Sequence, residues 1–320
     1  MFIYIDAFTM CNLRCPSCAV GDHNRSEGRP STRRMMTPQT LGLILDKALR
    51  EIETIEGVGF FNWTEPLLHP RIAEFVAEIS GRGLRCWISS NLNVLRDPDA
   101  LLSARPHEII VSVSGFHQDV YQRGHAGGDI EAVKSNMVRL ADAEQNARSE
   151  THRTWLRLVY HRYADNADDE RKMQRYAESL GFVFAPTWAY VTSVERVLDL
   201  HTGVRRFKED DELMERLALP FAEAMRLVSK TPAQSCAHIG GRLVLNSDAN
   251  VYLCCASSGA ATNLVGNFLT TPLAELQSAK SNHPLCGQCM KHSVMTYFDR
   301  ASDGDAEFSE LAVARRPGHS

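Results

Sequence analysis

The chain has no long apolar run. Nothing approaches the 18 or so residues of a membrane-spanning helix, and residues 1–12 carry Asp6 inside their apolar stretch with no basic segment ahead of it, so neither a span nor an export signal is read there. It also lacks an excess of either charge. Thirty-five basic against 39 acidic side chains leave a formal net charge of −4, which gives no global field to hold a polyanion, so nucleic-acid and membrane partners are not expected. Lysine is scarce, 7 residues against 28 arginines, so local clusters of arginine carry little meaning by themselves. Internal repeats and low-complexity tracts are absent. With 44% hydrophobic, 23% charged and 8% aromatic residues, collagen-like, coiled-coil and wholly disordered readings are excluded. Three hundred and twenty residues predict about two domains in a chain long enough to bury most of its apolar surface. A cytoplasmic chain of enzyme size is expected.

What the sequence has is cysteine. Nine cysteines without an export signal, an odd number, argue against a fully paired disulfide framework and for metal or redox chemistry. They are clumped: Cys11, Cys15 and Cys18 near the front, Cys86 alone, then Cys236, Cys254, Cys255, Cys286 and Cys289.

Hydrophobic periodicity predicts alternating strands and helices. Strands are read at 2–8, 57–63, 84–90, 108–113, 155–161 and 182–190, and helices at 38–52, 70–80, 97–104, 130–147 and 167–180. Thr37 before Pro38 is a cap and first-turn pair. Six such units without a repeat predict parallel strands with helices outside, either an open doubly wound sheet or a full or partial barrel, with active residues at the C-terminal strand ends. The expected layout is a barrel over 1–190, a charge-rich connector over 191–232 with a helix at 221–228, and a cysteine-bearing module over 233–300 containing a hairpin of strands 242–245 and 251–254. Residues 301–320 read as a loose tail.

The segment Cys11-Asn-Leu-Arg-Cys15-Pro-Ser-Cys18 follows the first strand, where such a fold places its chemistry. Three thiolates can hold three irons of a 4Fe-4S cube and leave the fourth open to a small ligand. The competing reading is a zinc knuckle with His23 as a fourth ligand.

This spacing resembles the CxxxCxxC loop of the radical SAM superfamily, whose open iron chelates S-adenosylmethionine (SAM). The resemblance implies a partial (β/α)6 barrel of α/β class, reductive cleavage of SAM to a 5′-deoxyadenosyl radical, and a flavodoxin- or ferredoxin-type reductant. Thr64-Glu65-Pro66 resembles the family's glycine-glycine-glutamate motif, and Glu65 would accept bonds from the methionine ammonium. Ser112, Ser114 and Arg123 resemble contacts to the SAM ribose and carboxylate, and Asn166 a helix-start residue near the adenosine, with a plain helix cap as the competing reading. The chain departs from the family at Ser17, where an aromatic residue is common, and at Trp63 and Thr64, where glycines are common.

Cys236, Cys254 and the pair Cys286-Gly-Gln-Cys289 supply four thiolates, enough for a zinc ribbon or an iron-sulfur cluster. Together with Asp248 to Cys255 and Gly266-Asn267 they resemble the C-terminal auxiliary modules called SPASM and Twitch. That resemblance implies one auxiliary 4Fe-4S cluster on Cys236, Cys254, Cys286 and Cys289, with Cys255 competing with Cys254. The cluster would accept an electron from a substrate radical or simply hold the module together. A spare thiol such as Cys255 or Cys86 would be a hydrogen-atom donor, with a buried inert thiol as the competing reading for Cys86.

His117, His125 and His161, near strand ends, are acid-base candidates. Arg25, Arg29, Arg33 and Arg34 flank the expected mouth and read either as an anion clamp or as a solvated loop. The first strand starts at Phe2, which leaves no room for a preceding leader-binding domain, so a small-molecule substrate (sugar, nucleotide or other secondary metabolite) is expected. The alternatives are a ribosomal-peptide maturase served by a separate leader-binding protein and, outside the enzyme class, a zinc-stabilised non-catalytic binding protein.

Overall fold

A computed structural model describes the chain except for residues 27, 29–32, 205–207, 231–234 and 317–320. Its strands are β1 (Phe2–Ile5), β2 (Gly57–Phe60), β3 (Cys86–Ser90), β4 (Glu108–Val113), β5 (Trp155–Arg162), β6 (Val183–Trp188), β7 (Arg242–Leu245), β8 (Asn250–Tyr252) and β9 (Leu264–Asn267). Among the described residues they form one nine-stranded sheet in the order β6-β5-β4-β3-β2-β1-β7-β8-β9. Neighbours from β6 to β7 are parallel, while β8 and β9 are antiparallel additions. Six consecutive strands in sequence order with helical crossovers make the expected α/β barrel-like wall, and its C-terminal rim is where the loops gather.

The local chemistry explains the wall. Ile3, Val58, Ile88, Ile109 and Val111 point to one face and are buried against helices. The helix Pro38–Glu51, capped by the Thr37 side chain on the Thr40 N–H, presents Leu41, Ile44, Leu45 and Ala48 to that face, the 3.6-residue stripe the sequence pattern predicts. The other face holds an aromatic cluster in which Phe2 lies 4.9 Å from Tyr4, 5.8 Å from Phe61 and 5.3 Å from Trp87.

Three expectations change. The hairpin at 242–252 is not free-standing, because β7 pairs in parallel with β1 from Phe2–Arg242 to Ile5–Leu245 and so extends the barrel sheet. The connector holds helices Val194–Thr202 and Lys208–Arg216 besides Phe221–Val228. They share a second core with Tyr163, Trp188, Tyr297 and Phe298.

The tail is not loose over its described part. The helix Ala306–Val313 buries Phe308 and Ala312 in that second core. Beyond it, the fully buried Arg316 donates to Glu170 Oε2 at 2.7 Å and to Asn166 Oδ1 at 3.2 Å. A polar tail composition concealed this because the stabilising contacts are long-range. Arg316→Ala removes one partner of a buried pair, and since Arg162 still holds Glu170 at 2.6 Å, the expected cost is the lower end of the range for such losses, about 3 kcal/mol. A lower urea midpoint at unchanged slope is the expected result.

Candidate active site: a cysteine cavity at the strand ends

Every loop leaving a C-terminal strand end from β1 to β6 contributes to one cavity of about 280 Å³. Cys11, Cys15 and Cys18 enter from the β1 loop, Glu65 from the β2 loop, and Ser112, His125 and His161 from the β4 and β5 side. All nine cysteines are free thiols.

The cysteine loop is fixed by backbone contacts. Cys18 N–H donates to the Cys15 carbonyl at 3.3 Å, and the helix Ala19–Ser26 starts directly afterwards. Gly21 in that helix lies against the loop so closely that a Cβ there would stand 2.2 Å from the Cys15 carbonyl oxygen, which only glycine avoids. Asn24 donates to the carbonyls of Cys11 (3.3 Å) and Leu13 (2.9 Å). From the connector, Thr192 donates to the Ser17 carbonyl through its N–H (3.1 Å) and its hydroxyl (2.8 Å), and Arg196 donates to that of Pro16 at 2.8 Å. Arg196 is itself held by the buried Asp210 at 2.5 Å. Burial pushes the Cys15 and Cys18 thiols up, and at Cys15 the neighbouring Cys18 and Cys11 add to the effect. Three clustered thiols that resist ionisation individually fit a positively charged iron centre that neutralises them together.

Glu65 is 3% exposed, and its carboxylate accepts from the Ser90 hydroxyl (2.7 Å), the Leu67 N–H (3.0 Å) and the Asn91 N–H (2.8 Å). Burial nevertheless raises its pKa to about 7, against those hydrogen bonds. Among the described residues no cation pairs with it. A buried carboxylate facing the cavity without a cation fits a ligand that brings an ammonium group.

Asp6 is not among the residues the sequence pattern singles out, and it lines the neighbouring cavity. At the end of β1 it accepts from the N–H groups of Trp63 (3.0 Å) and Thr64 (3.1 Å), the Thr64 hydroxyl (2.8 Å) and Asn62 (3.3 Å). It thereby bends the chain after Phe60, which is why β2 ends before the expected 63, and it sets the approach to Glu65. A charged residue inside an apolar strand was its visible signal.

The remaining candidates divide. Ser112 and His161 line the cavity. His161 and His125 lie 5.7 Å apart, ring to ring, and burial lowers them to about 4 and about 3, so both are neutral near pH 7. Ser114 does not line the cavity but stands behind His125, its hydroxyl 2.7 Å from Nδ1. Asn166 is turned away: its amide donates to the carbonyls of Ser114 and His161 (both 2.9 Å) and accepts from Tyr163 N–H and Arg316, so it ties β4 to β5 and has no capacity left for adenosine. It makes no side-chain cap either. Arg123 sits on the outer rim, paired with Asp165 at 2.9 Å, and His117 is half-exposed and bound to Asp169 at 2.8 Å. Neither reaches the cavity. Arg25 and Arg34 are committed to Asp22 and Asp248, Arg33 is exposed, and Arg29 lies outside the described residues. His23 lines a neighbouring cavity beside Asp6 rather than the one holding the three cysteines.

Farther along the chain, Cys236, Cys254, Cys286 and Cys289 line a second, mostly apolar cavity with Leu253, Leu285 and Met295. His238 also faces it, buried, with Nδ1 unpartnered. Four thiols and an orphaned buried nitrogen are a donor set of the kind iron-sulfur clusters use, although among the described residues no three such side chains are gathered as for a single metal ion. Cys255 is turned elsewhere: Arg242 donates to its sulfur at 3.0 Å, and hydrogen bonding from Cys254 together with that guanidinium lowers its pKa. Cys86 is fully buried in the main core, where burial pushes its thiol up.

A family pattern described as the Radical SAM superfamily matches residues 6–167, half of the chain. The tungsten-containing aldehyde ferredoxin oxidoreductase cofactor-modifying protein of Pyrococcus furiosus is 30% identical over 96 residues, which cover 30% of this chain and 25% of that protein. Among solved structures, Streptococcus suis SuiB bound to S-adenosylmethionine is similar in fold, with a TM-score of 0.57 and 12% identity over 89% of this chain and 66% of SuiB. The same values hold for SuiB bound to its precursor peptide SuiA, apart from 65% coverage of that chain. The chain thus spans a quarter of the curated relative and slightly less than two thirds of SuiB. No described helix is long and apolar enough to cross a membrane.

Proposed function

Because this chain belongs to the radical SAM superfamily, which implies a 4Fe-4S cluster and SAM, we propose that it cleaves SAM reductively and abstracts hydrogen from a C–H bond of a bound substrate. When bound, cluster and SAM supply a 5′-deoxyadenosyl radical, with the electron coming from a flavodoxin- or ferredoxin-type protein. The observation that carries this reading is that Cys11, Cys15 and Cys18 share a cavity with the cation-less Glu65 at the strand ends. The three thiolates would hold three irons. Glu65 would receive the methionine ammonium, and Ser112, which lines the same cavity, would offer its hydroxyl to the ribose. Neutral His125 and His161 would bind as uncharged donors or acceptors rather than as cations.

The second cavity is read as an auxiliary 4Fe-4S site on Cys236, Cys254, Cys286 and Cys289, supported by their convergence on one apolar space. Cys286→Ala is expected to remove about four of eight irons per chain while release of 5′-deoxyadenosine persists. Loss of all iron in that variant contradicts two separate centres.

The substrate is proposed to be a small molecule. A peptide residue is the second reading, favoured by the fold shared with SuiB, which was solved with its precursor peptide. Deuterium transfer from labelled candidates of each class into 5′-deoxyadenosine distinguishes them.

A further inference from the structure

Lys280, on the helix Leu273–Ser281, is 2% exposed. Its ammonium donates to the Arg242 carbonyl at 2.8 Å, and among the described residues it forms no ion pair with any carboxylate. The anionic candidates near it are sulfurs: Cys254, Cys255 and Cys286. Arg242, partly buried, lies next to it: its guanidinium bonds the Cys255 sulfur at 3.0 Å and lies 5.7 Å from the Tyr4 ring. A cation as deeply buried as Lys280 without a carboxylate partner is costly unless a negative charge lies alongside. Of the sulfurs near Lys280, Cys254 and Cys286 line the second cavity, and Arg242 holds the sulfur next along the chain from Cys254; four thiolates around iron and sulfide carry net negative charge.

We propose that Lys280, together with Arg242, balances the negative charge of the second centre and sets its reduction potential, a role that rests on reading that centre as an iron-sulfur cluster. A fixed cation in a low-dielectric surrounding favours whichever oxidation state carries more negative charge, the reduced one, and therefore raises the potential. Electron acceptance at the second centre is then favoured by the protein's own charges, which suits a centre that takes an electron from a bound substrate radical.

The test is a reductive titration of the anaerobically reconstituted full chain followed by EPR, with added SAM marking the signal of the front cluster. Lys280→Met keeps the length and apolar stem of the side chain and is expected to shift the midpoint of the second centre to lower potential. Iron content and the front-cluster midpoint are expected to stay at wild-type values, and Lys280→Arg to keep the wild-type potential. Arg242→Gln gives an independent reading on the same signal, with a shift in the same direction. Unmoved midpoints in Lys280→Met and Arg242→Gln with both clusters loaded overturn the proposal and leave the cluster reading intact. Zinc in place of iron at the second centre of the wild-type chain overturns both, since zinc has no redox step to tune.

Discussion

The Cys15→Ala chain is expected to release no detectable 5′-deoxyadenosine from SAM under dithionite, while remaining folded. Cys15 is the middle ligand of the proposed triad and the residue whose carbonyl receives the Cys18 N–H. The backbone that shapes the loop does not depend on its sulfur: Asn24, Thr192 and Arg196 bind the carbonyls of Cys11, Leu13, Ser17 and Pro16. Alanine leaves those bonds and the Gly21 contact in place, so loss of a small, partly buried side chain is expected to cost about 1 kcal/mol. Two remaining thiols cannot support a cube with three protein ligands, and about four irons per chain are expected to be lost. Iron analysis, circular dichroism and product release on one preparation separate the outcomes. Cleavage at wild-type rate in a folded Cys15→Ala chain contradicts the assignment.

Glu65→Gln is expected to weaken SAM binding by about 1.5–3 kcal/mol, roughly ten- to 150-fold, the range for hydrogen bonds to charged groups. The same change turns an amide N–H towards the Asn91 N–H that now donates to Oε2, so two donors face each other in a buried space. The pH dependence follows from the raised pKa of about 7. Only the carboxylate pairs with an ammonium, so SAM affinity of the wild-type chain is expected to rise with pH and level off above about 7. Stability moves the other way. Between the ordinary carboxyl value of 4.5 and about 7 the folded chain keeps a proton that the unfolded chain has released, so the stability contributed by this group falls as pH rises through that window. Titration calorimetry with SAM at pH 6 and pH 8 checks the affinity, and urea unfolding at pH 5 and pH 7 the stability. A pH-independent affinity in the wild type, or an unchanged affinity in Glu65→Gln, contradicts the role given to Glu65.

Sequence reasoning singles out residues by type and spacing, and the structure brings the three front cysteines it marks to one cavity. The cysteine spacing marked Cys11, Cys15 and Cys18, and the apolar alternation placed β4 at 108–113 and the helices at 130–147 and 221–228 where the structure has them. Asn166, Arg123 and His117 were chosen by position in the chain, and each is turned from the cavity by a partner distant in sequence: Arg316, Asp165 and Asp169. Such pairings leave no periodic trace. The union of β7 with β1 was hidden for the same reason, since a four-residue strand paired 240 positions away reads locally as one arm of a hairpin. Nothing in the sequence around Lys280 sets it apart from other lysines, and only its burial without a carboxylate, near sulfur, does so.

The central claim is that the front cavity is a SAM-cleaving iron-sulfur site. Its most direct test is iron, sulfide and zinc content after anaerobic reconstitution, measured together with 5′-deoxyadenosine release from SAM under dithionite. The account predicts about eight irons per chain with release of the nucleoside. Zinc without iron, and no cleavage of SAM, contradicts it.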